Sequence, residues 1–311
     1  MTMMTPDSVK PAALAARLVA ENFATVGGVL AIGGVRADDL IARFGAPLFV
    51  YDAAIMRRRY QCLAAALAGF ATVYYSVKAN PAPAVARLFV TAGAGLEVAS
   101  GAELLMAQRA GCAPGRILFA GPGKSAAELE LAVAHGCGEI HVETFEEIAR
   151  LGAICRRHGC VVNVAIRINP AASASGGAMR MGGKPAAFGF DEEQLDAVIA
   201  TVAAAEALRL TGVHLFAGTQ ILDAHVLLAQ WSHGLTLAAD VARRTGTPLH
   251  RIDLGGGLGI PYHDGDATLD LAALKSGIGA LRAQRASEPL LADAEIILEP
   301  GRFLTGPAGV Y

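Results

Sequence analysis

Three features of this chain have residue types that do covalent or acid–base chemistry, set where inert neighbours would be expected. Lys78 stands in the run YYSVKAN (74–80), Glu299 opens EPGR (299–302), and Gly255, Gly256 and Gly257 end another apolar run, 251–257. A lysine inside a buried strand is rarely tolerated unless paired. Desolvation would lower its pKa and expose the amine as a nucleophile for a Schiff base. The plain alternative is a strand-end lysine whose ammonium snorkels into water. The glycine run, with Gly259 close behind, offers backbone N–H groups for a phosphate, or simply a tight turn. Glu299, three residues before Arg302, reads either as half of a structural ion pair or as a carboxylate that tunes a cofactor's ring nitrogen. The glycines do not form a dinucleotide fingerprint, because they follow the seventh run and have no acidic ribose partner in frame. Lys124-Ser125 in GPGKS lacks the upstream half of a P-loop.

Eight short apolar runs would position these groups. They are 71–79, 95–100, 116–121, 139–144, 161–169, 210–218, 251–257 and 294–301, and each is bounded by Gly, Pro or a polar residue. Helical spacing fills the gaps at 100–111, 125–136, 144–159, 191–207, 224–245 and 270–286. Ser100 and Ser125 are placed as N-caps, and Ser125 has Glu128 three residues on. Strand then helix, repeated, means parallel strands with crossovers. Eight strands is the count of an α/β fold of the (β/α)8 barrel type, with a doubly wound open sheet as the rival. Barrel catalytic groups collect at the C-terminal strand ends. Lys78 ends the first run, Glu97 and Ser100 the second, Glu143 the fourth, and Arg167 and Asn169 the fifth. Phe216, Gly218 and Thr219 end the sixth, Asp253 and the glycines the seventh, and Glu299, Gly301 and Arg302 the eighth. Burying so many polar groups costs several kcal/mol each if unpaired, a cost that a shared polar ligand would offset.

Residues 1–70 do not join the repeat. The segment 26–52 reads as a strand, a Gly-rich turn, a helix and another strand, and 303–311 as a strand that is cut off. With Lys+Arg 26 against Asp+Glu 28, the net charge of −2 gives no reason to expect nucleic acid or an anionic membrane as partner. Hydrophobic residues at 53% exclude a disordered chain. Charge-free stretches such as 22–35 fall short of the ~18–20 apolar residues a membrane span needs. Five cysteines, with no CxxC pair and no matching His/Cys cluster, argue against zinc and fit a reducing compartment. The N-terminus lacks a signal-peptide core, so a cytoplasmic location is expected.

In this order and spacing, YYSVKAN, LEVASGAEL (96–104), HLFAGTQ (214–220), DLGGGLGIPY (253–262) and EPGR resemble the fold-type III pyridoxal-phosphate decarboxylases, the group of diaminopimelate, ornithine and arginine decarboxylases. The resemblance runs from about Gly28 to Tyr311. It implies pyridoxal 5'-phosphate as cofactor, an amino acid substrate and carboxyl loss. It implies that Lys78 holds the cofactor as a Schiff base and that Glu299 keeps the pyridine nitrogen protonated. Gly255, Gly256, Gly257, Gly301, Arg302 and Thr219, with Gly218, would form the phosphate site. Arg167 would lie near the ring hydroxyl and Glu97 beside the lysine. Phe216 stands where diaminopimelate decarboxylases usually place a ring-stacking histidine; phenylalanine still stacks but supplies no proton. The segment SGGAMRMGGKPAAFGFDEE (175–193) resembles a subgroup tied to exopolysaccharide or exosortase gene clusters, and decarboxylases of carrier-protein-bound aminoacyl groups.

The implied organisation is residues 1–50 as N-terminal elements of a β-domain, 51–302 as the cofactor-binding barrel, and 303–311 as the start of a C-terminal β-domain truncated at Tyr311. In the resembling enzymes that domain completes a homodimer and brings a cysteine and an acidic residue into the partner's active site. A racemase of the same barrel, a non-catalytic cofactor-binding homologue, and a lysine-dependent aldolase or hydrolase remain as alternatives. The first would carry an arginine facing the ring nitrogen, against which Glu299 argues.

Overall fold

A computed structural model describes residues 13–170, 179–180, 188–216 and 218–311. Each of the eight apolar runs yields a strand: β1 Thr72–Ser76, β2 Gly95–Val98, β3 Ile117–Phe119, β4 Glu139–Val142, β5 Val162–Asn169, β6 Leu208–Leu215, β7 Arg251–Asp253 and β8 Glu295–Leu298. All neighbours pair in parallel in chain order, β8 pairs with β1, and β4 with β5, so the sheet closes into a barrel. A two-residue strand, Phe190–Asp191, runs parallel to β5 outside the ring.

The crossovers are helical because their ends are capped. Ser100 accepts from the Glu103 N–H, and Ser125 with Glu128 forms a reciprocal capping box. Thr144, Asp223 and Asp270 cap three longer helices, 145–158, 224–245 and 271–286. The sequence reading did not include the helices Ala53–Ala66 and Pro83–Thr91, which flank β1. No helix among the described residues is long and apolar enough to cross a membrane.

Two cores result. The larger lies between the sheet's outer face and the helices, with Trp231, Phe89 and Leu104 among its fully buried side chains. Inside the barrel, Tyr74, Leu118 and Ile297 form a separate apolar cluster. Gly95 makes room for it, since a Cβ there would sit 2.2 Å from the Tyr74 ring. The rest of the buried interior is polar and alternates along each strand, as strand geometry requires: Glu139, His141 and Glu143 on or just after β4, and Arg167 and Asn169 on β5.

Ahead of the barrel, Ala24–Val26, Val29–Ile32 and Val35–Arg36 form a three-stranded antiparallel sheet, followed by a helix over Ala37–Phe44. The segment 303–311 departs from the expected strand. Arg302–Thr305 is α-helical and Gly306–Ala308 a 3-10 turn, so only Gly309–Val310 is extended, antiparallel to Val50–Tyr51. Pro307 sits early in that turn, where a missing N–H costs nothing.

Candidate active site

One cavity of about 670 Å³ opens at the C-terminal ends of the strands. Of the residues singled out in the sequence, Lys78, Phe216, Thr219, Gly257, Glu299, Gly301 and Arg302 line it. Glu97 lies behind Lys78, while Gly218, Gly255, Gly256 and Arg167 stand outside the lining. Ser76, Tyr51, Leu258, Ile260 and Tyr262 complete much of the wall and had not been singled out.

Lys78 requires a correction. It does not sit inside a strand: β1 ends at Ser76, and Val77–Ala79 is a 3-10 turn closed by the Asn80 N–H donating to the Val77 carbonyl. Its side chain is 55% exposed, facing the cavity, and Nζ donates to Glu97 Oε2 at 2.7 Å. That oxygen also accepts from Ser76 Oγ at 2.5 Å. The expected drop in pKa does not occur. Burial works to lower it, but the charges of Glu97 and Glu299 outweigh burial and hold the amine above its ordinary value.

Glu299 follows β8, is buried, and keeps one oxygen, Oε1, without a hydrogen-bond partner. Its other oxygen lies 3.5 Å from His214 Nε2. Arg302 is not its ion-pair partner. Arg302 Nη1 donates instead to Gln220 Oε1 at 3.0 Å, and the guanidinium lies 5.3 Å from the centre of the Tyr262 ring. Behind Glu299 the register aligns Arg167, His214 and Asp253 across β5, β6 and β7. One polar atom from each of His141, His214, Asp253 and Glu299 falls within 4.8 Å of the others. Burial drives the His214 pKa down to about 4, so its ring is neutral near neutral pH. The sequence reading placed Asp253 at the end of the seventh run and His214 in HLFAGTQ, but did not foresee that they cluster with His141 and Glu299.

The glycine run is set by backbone contact. A Cβ on Gly256 would meet the Glu299 carbonyl at 2.5 Å, and one on Gly257 the Gly218 carbonyl at 2.8 Å. Gly257 has φ +86°, a conformation that glycine favours. On Gly301 a Cβ would sit 2.8 Å from Ala79. Gly218–Thr219 pairs antiparallel with Met179–Arg180. The result is a wall of bare backbone beside Thr219 and Arg302, suited to a phosphate. The Lys78 amine and the Glu299 carboxylate border the same space. These features fit pyridoxal 5'-phosphate: aldehyde to Lys78, protonated ring nitrogen to Glu299, phosphate to the glycine wall.

Arg167 Nη1 donates to Glu143 Oε1 at 3.0 Å and its guanidinium stacks on Phe188. Lys124, rejected above as a P-loop lysine, is fully buried, 2.8 Å from Glu147 and donating to the Gly121 and His141 carbonyls. Of the subgroup segment 175–193, residues 175–178 and 181–187 lie outside the described residues.

Residues 53–306 match the family model described as pyridoxal-dependent decarboxylase, pyridoxal binding domain. An L-glutamyl-[BtrI acyl-carrier protein] decarboxylase of Niallia circulans is 35% identical over 272 residues, covering 88% of this chain and 63% of the relative. The diaminopimelate decarboxylase of Bacillus subtilis is 36% identical over 298 residues, covering 91% and 66%. The chain thus spans less than two thirds of the length of these curated relatives. Among solved structures, diaminopimelate decarboxylase from Helicobacter pylori complexed with L-lysine superposes with a TM-score of 0.78 at 28% identity, covering 88% of this chain and 67% of that one.

Proposed function

The chain belongs to the fold-type III pyridoxal-dependent decarboxylases, and from that premise we propose that it takes part in removing the α-carboxylate of an amino acid, with Lys78 as the cofactor-bearing residue. The observation that carries this reading is that Lys78 and Glu299 line one cavity together with Gly257, Thr219 and Arg302.

Pyridoxal 5'-phosphate, when bound, supplies the sink for the electron pair that the departing carboxylate leaves behind. The chain's own residues bind and orient. Glu97 takes up a proton from the Lys78 ammonium at 2.7 Å, freeing the amine to bond a carbonyl carbon. Glu299 would accept the N–H of a protonated ring nitrogen and favour that form. Phe216 would cover one ring face. Gly257, Thr219 and Arg302 would hold the phosphate, with Arg302 steadied by Gln220. Arg167, tied to Glu143, lies outside the cavity lining.

A carrier-protein-linked aminoacyl substrate is the second reading, favoured by the relative from Niallia circulans. A homodimer with shared sites, as the family resemblance implies, is part of the proposal, as is a reducing compartment, given five cysteines without disulfides. The test is release of labelled carbon dioxide from carboxyl-labelled diaminopimelate, ornithine, arginine, lysine and glutamyl carrier protein. Cofactor-dependent release from one of these, lost in K78A, is expected. Cofactor binding with no release from any would leave a silent binder. Borohydride treatment of the cofactor-loaded protein should fix a pyridoxyl group on the Lys78 peptide.

A further inference from the structure

Asp253 ends β7 and is completely buried, and Glu299, just past the end of the neighbouring β8, is nearly so. One carboxyl oxygen of each lies within 4.8 Å of the other. Asp253 Oδ1 accepts from the Gly255 N–H at 2.8 Å. Asp253 Oδ2 and Glu299 Oε1 are buried oxygens with no protein donor. Two facing carboxylates away from water cannot both be ionised. A single proton between them satisfies both orphaned oxygens and removes the like-charge repulsion.

The surroundings decide where that proton rests. Glu299 faces the Lys78 ammonium across the cavity and His214 Nε2 at 3.5 Å, both of which favour its anion. Asp253 faces Glu299 from β8, the neutral His214 from β6 and, more distantly, the Glu97 carboxylate from β2. Arg167 on β5 is spent on Glu143, and the His141 ring on β4 lies 4.5 Å from the His214 ring, with one ring nitrogen within 4.8 Å of Asp253. Among the described residues, no lysine or arginine forms an ion pair with Asp253.

We propose that Asp253 is a carboxylic acid in the folded protein and donates a hydrogen bond to Glu299, which it thereby fixes as a single carboxylate aimed at the cavity. Asp253 is then a positioning residue for the ring-nitrogen contact, and this part rests on the cofactor assignment above. The proton comes from solvent during folding and stays on Asp253 when the cavity is filled. Burial and Glu299 both press the Asp253 pKa well above its ordinary value, while Glu299 is pressed down, in agreement with the geometry.

The test is infrared spectroscopy of the cofactor-free protein at neutral pH, prepared with and without carboxyl-13C aspartate. A carbonyl stretch of a protonated acid that moves with the aspartate label and is lost in D253N is expected. No such aspartate band, or one that persists in D253N, overturns the proposal, as does stoichiometric transition metal in the purified protein. This measurement needs neither cofactor nor activity, so it can succeed while the decarboxylase reading fails. A second arm uses pyridoxal 5'-phosphate binding. Asparagine keeps an acceptor for Gly255 and a donor for Glu299, so D253N should bind within about threefold of the unaltered chain, whereas D253V should lose roughly tenfold or more. Equal losses in the two variants overturn the positioning role. Should D253V fail to fold, the infrared arm decides.

Discussion

Lys78 Nζ and Glu97 Oε2 are 2.7 Å apart, and Ser76 Oγ reaches the same oxygen at 2.5 Å. The backbone dictates this contact: Ser76 and Glu97 are register partners on β1 and β2, and the turn after β1 places Lys78 above them. The pair stores the amine as an ammonium and keeps a base against it, so attachment of a carbonyl group waits on one short proton transfer.

E97Q removes the charge and keeps a polar group of the same shape. The Glu97 charge and hydrogen bond help outweigh burial in raising the Lys78 pKa, so the amine should lose its proton more readily without them. The pH at which pyridoxal 5'-phosphate attaches, followed by visible absorption, should move downward in E97Q. An unchanged or upward shift would show that Glu97 does not hold the lysine's proton.

F216A should weaken cofactor binding roughly three- to tenfold, the size of an aromatic stacking contribution of about 0.5–1.5 kcal/mol. F216H should recover most of that loss, because an imidazole also stacks. Equilibrium dialysis with pyridoxal 5'-phosphate makes the comparison. Wild-type affinity in F216A would remove Phe216 from the ring face, although the residue borders the cavity.

The barrel was legible in the sequence because strands covered on both faces read as continuous apolar runs, and because Ser100, Ser125 and Thr144 mark the helix starts that separate them. The site was legible where the chemistry requires one residue type: Lys78, Glu299 and the glycines. It was illegible where tertiary contacts decide. The Lys78 turn depends on Asn80 and Val77 closing a 3-10 bond, and its raised pKa on two acids from other strands. The helical stretch 302–308 looked extended because Gly306 and Pro307 break up its apolar pattern. The buried group of His141, His214 and Asp253 was hidden because each stands singly on its own strand and they converge only when the sheet closes.

G257A tests the phosphate wall. The new methyl would meet the Gly218 carbonyl at 2.8 Å, at a backbone φ of +86° that side chains rarely adopt. Strain of this kind costs on the order of 1–3 kcal/mol. Lower thermal stability, together with weaker binding of pyridoxal 5'-phosphate than of its dephosphorylated form relative to wild type, is expected. Equal loss for both ligands would place the phosphate elsewhere.

His214 should leave a signature in stability against pH. Burial is the main cause of its fall from the ordinary 6.5 to about 4, partly opposed by Glu299. Between those values the unfolded chain binds a proton that the folded chain refuses, so the fold loses stability as pH falls through the window. At its lower end the loss approaches about 3 kcal/mol. In H214Q, which has no ring to protonate, the slope between pH 6.5 and 4 should flatten by that contribution, whatever the variant's overall stability. Urea denaturation of both proteins at several pH values in that window measures it. Parallel curves would mean that His214 takes up its proton as readily in the barrel as in the unfolded chain.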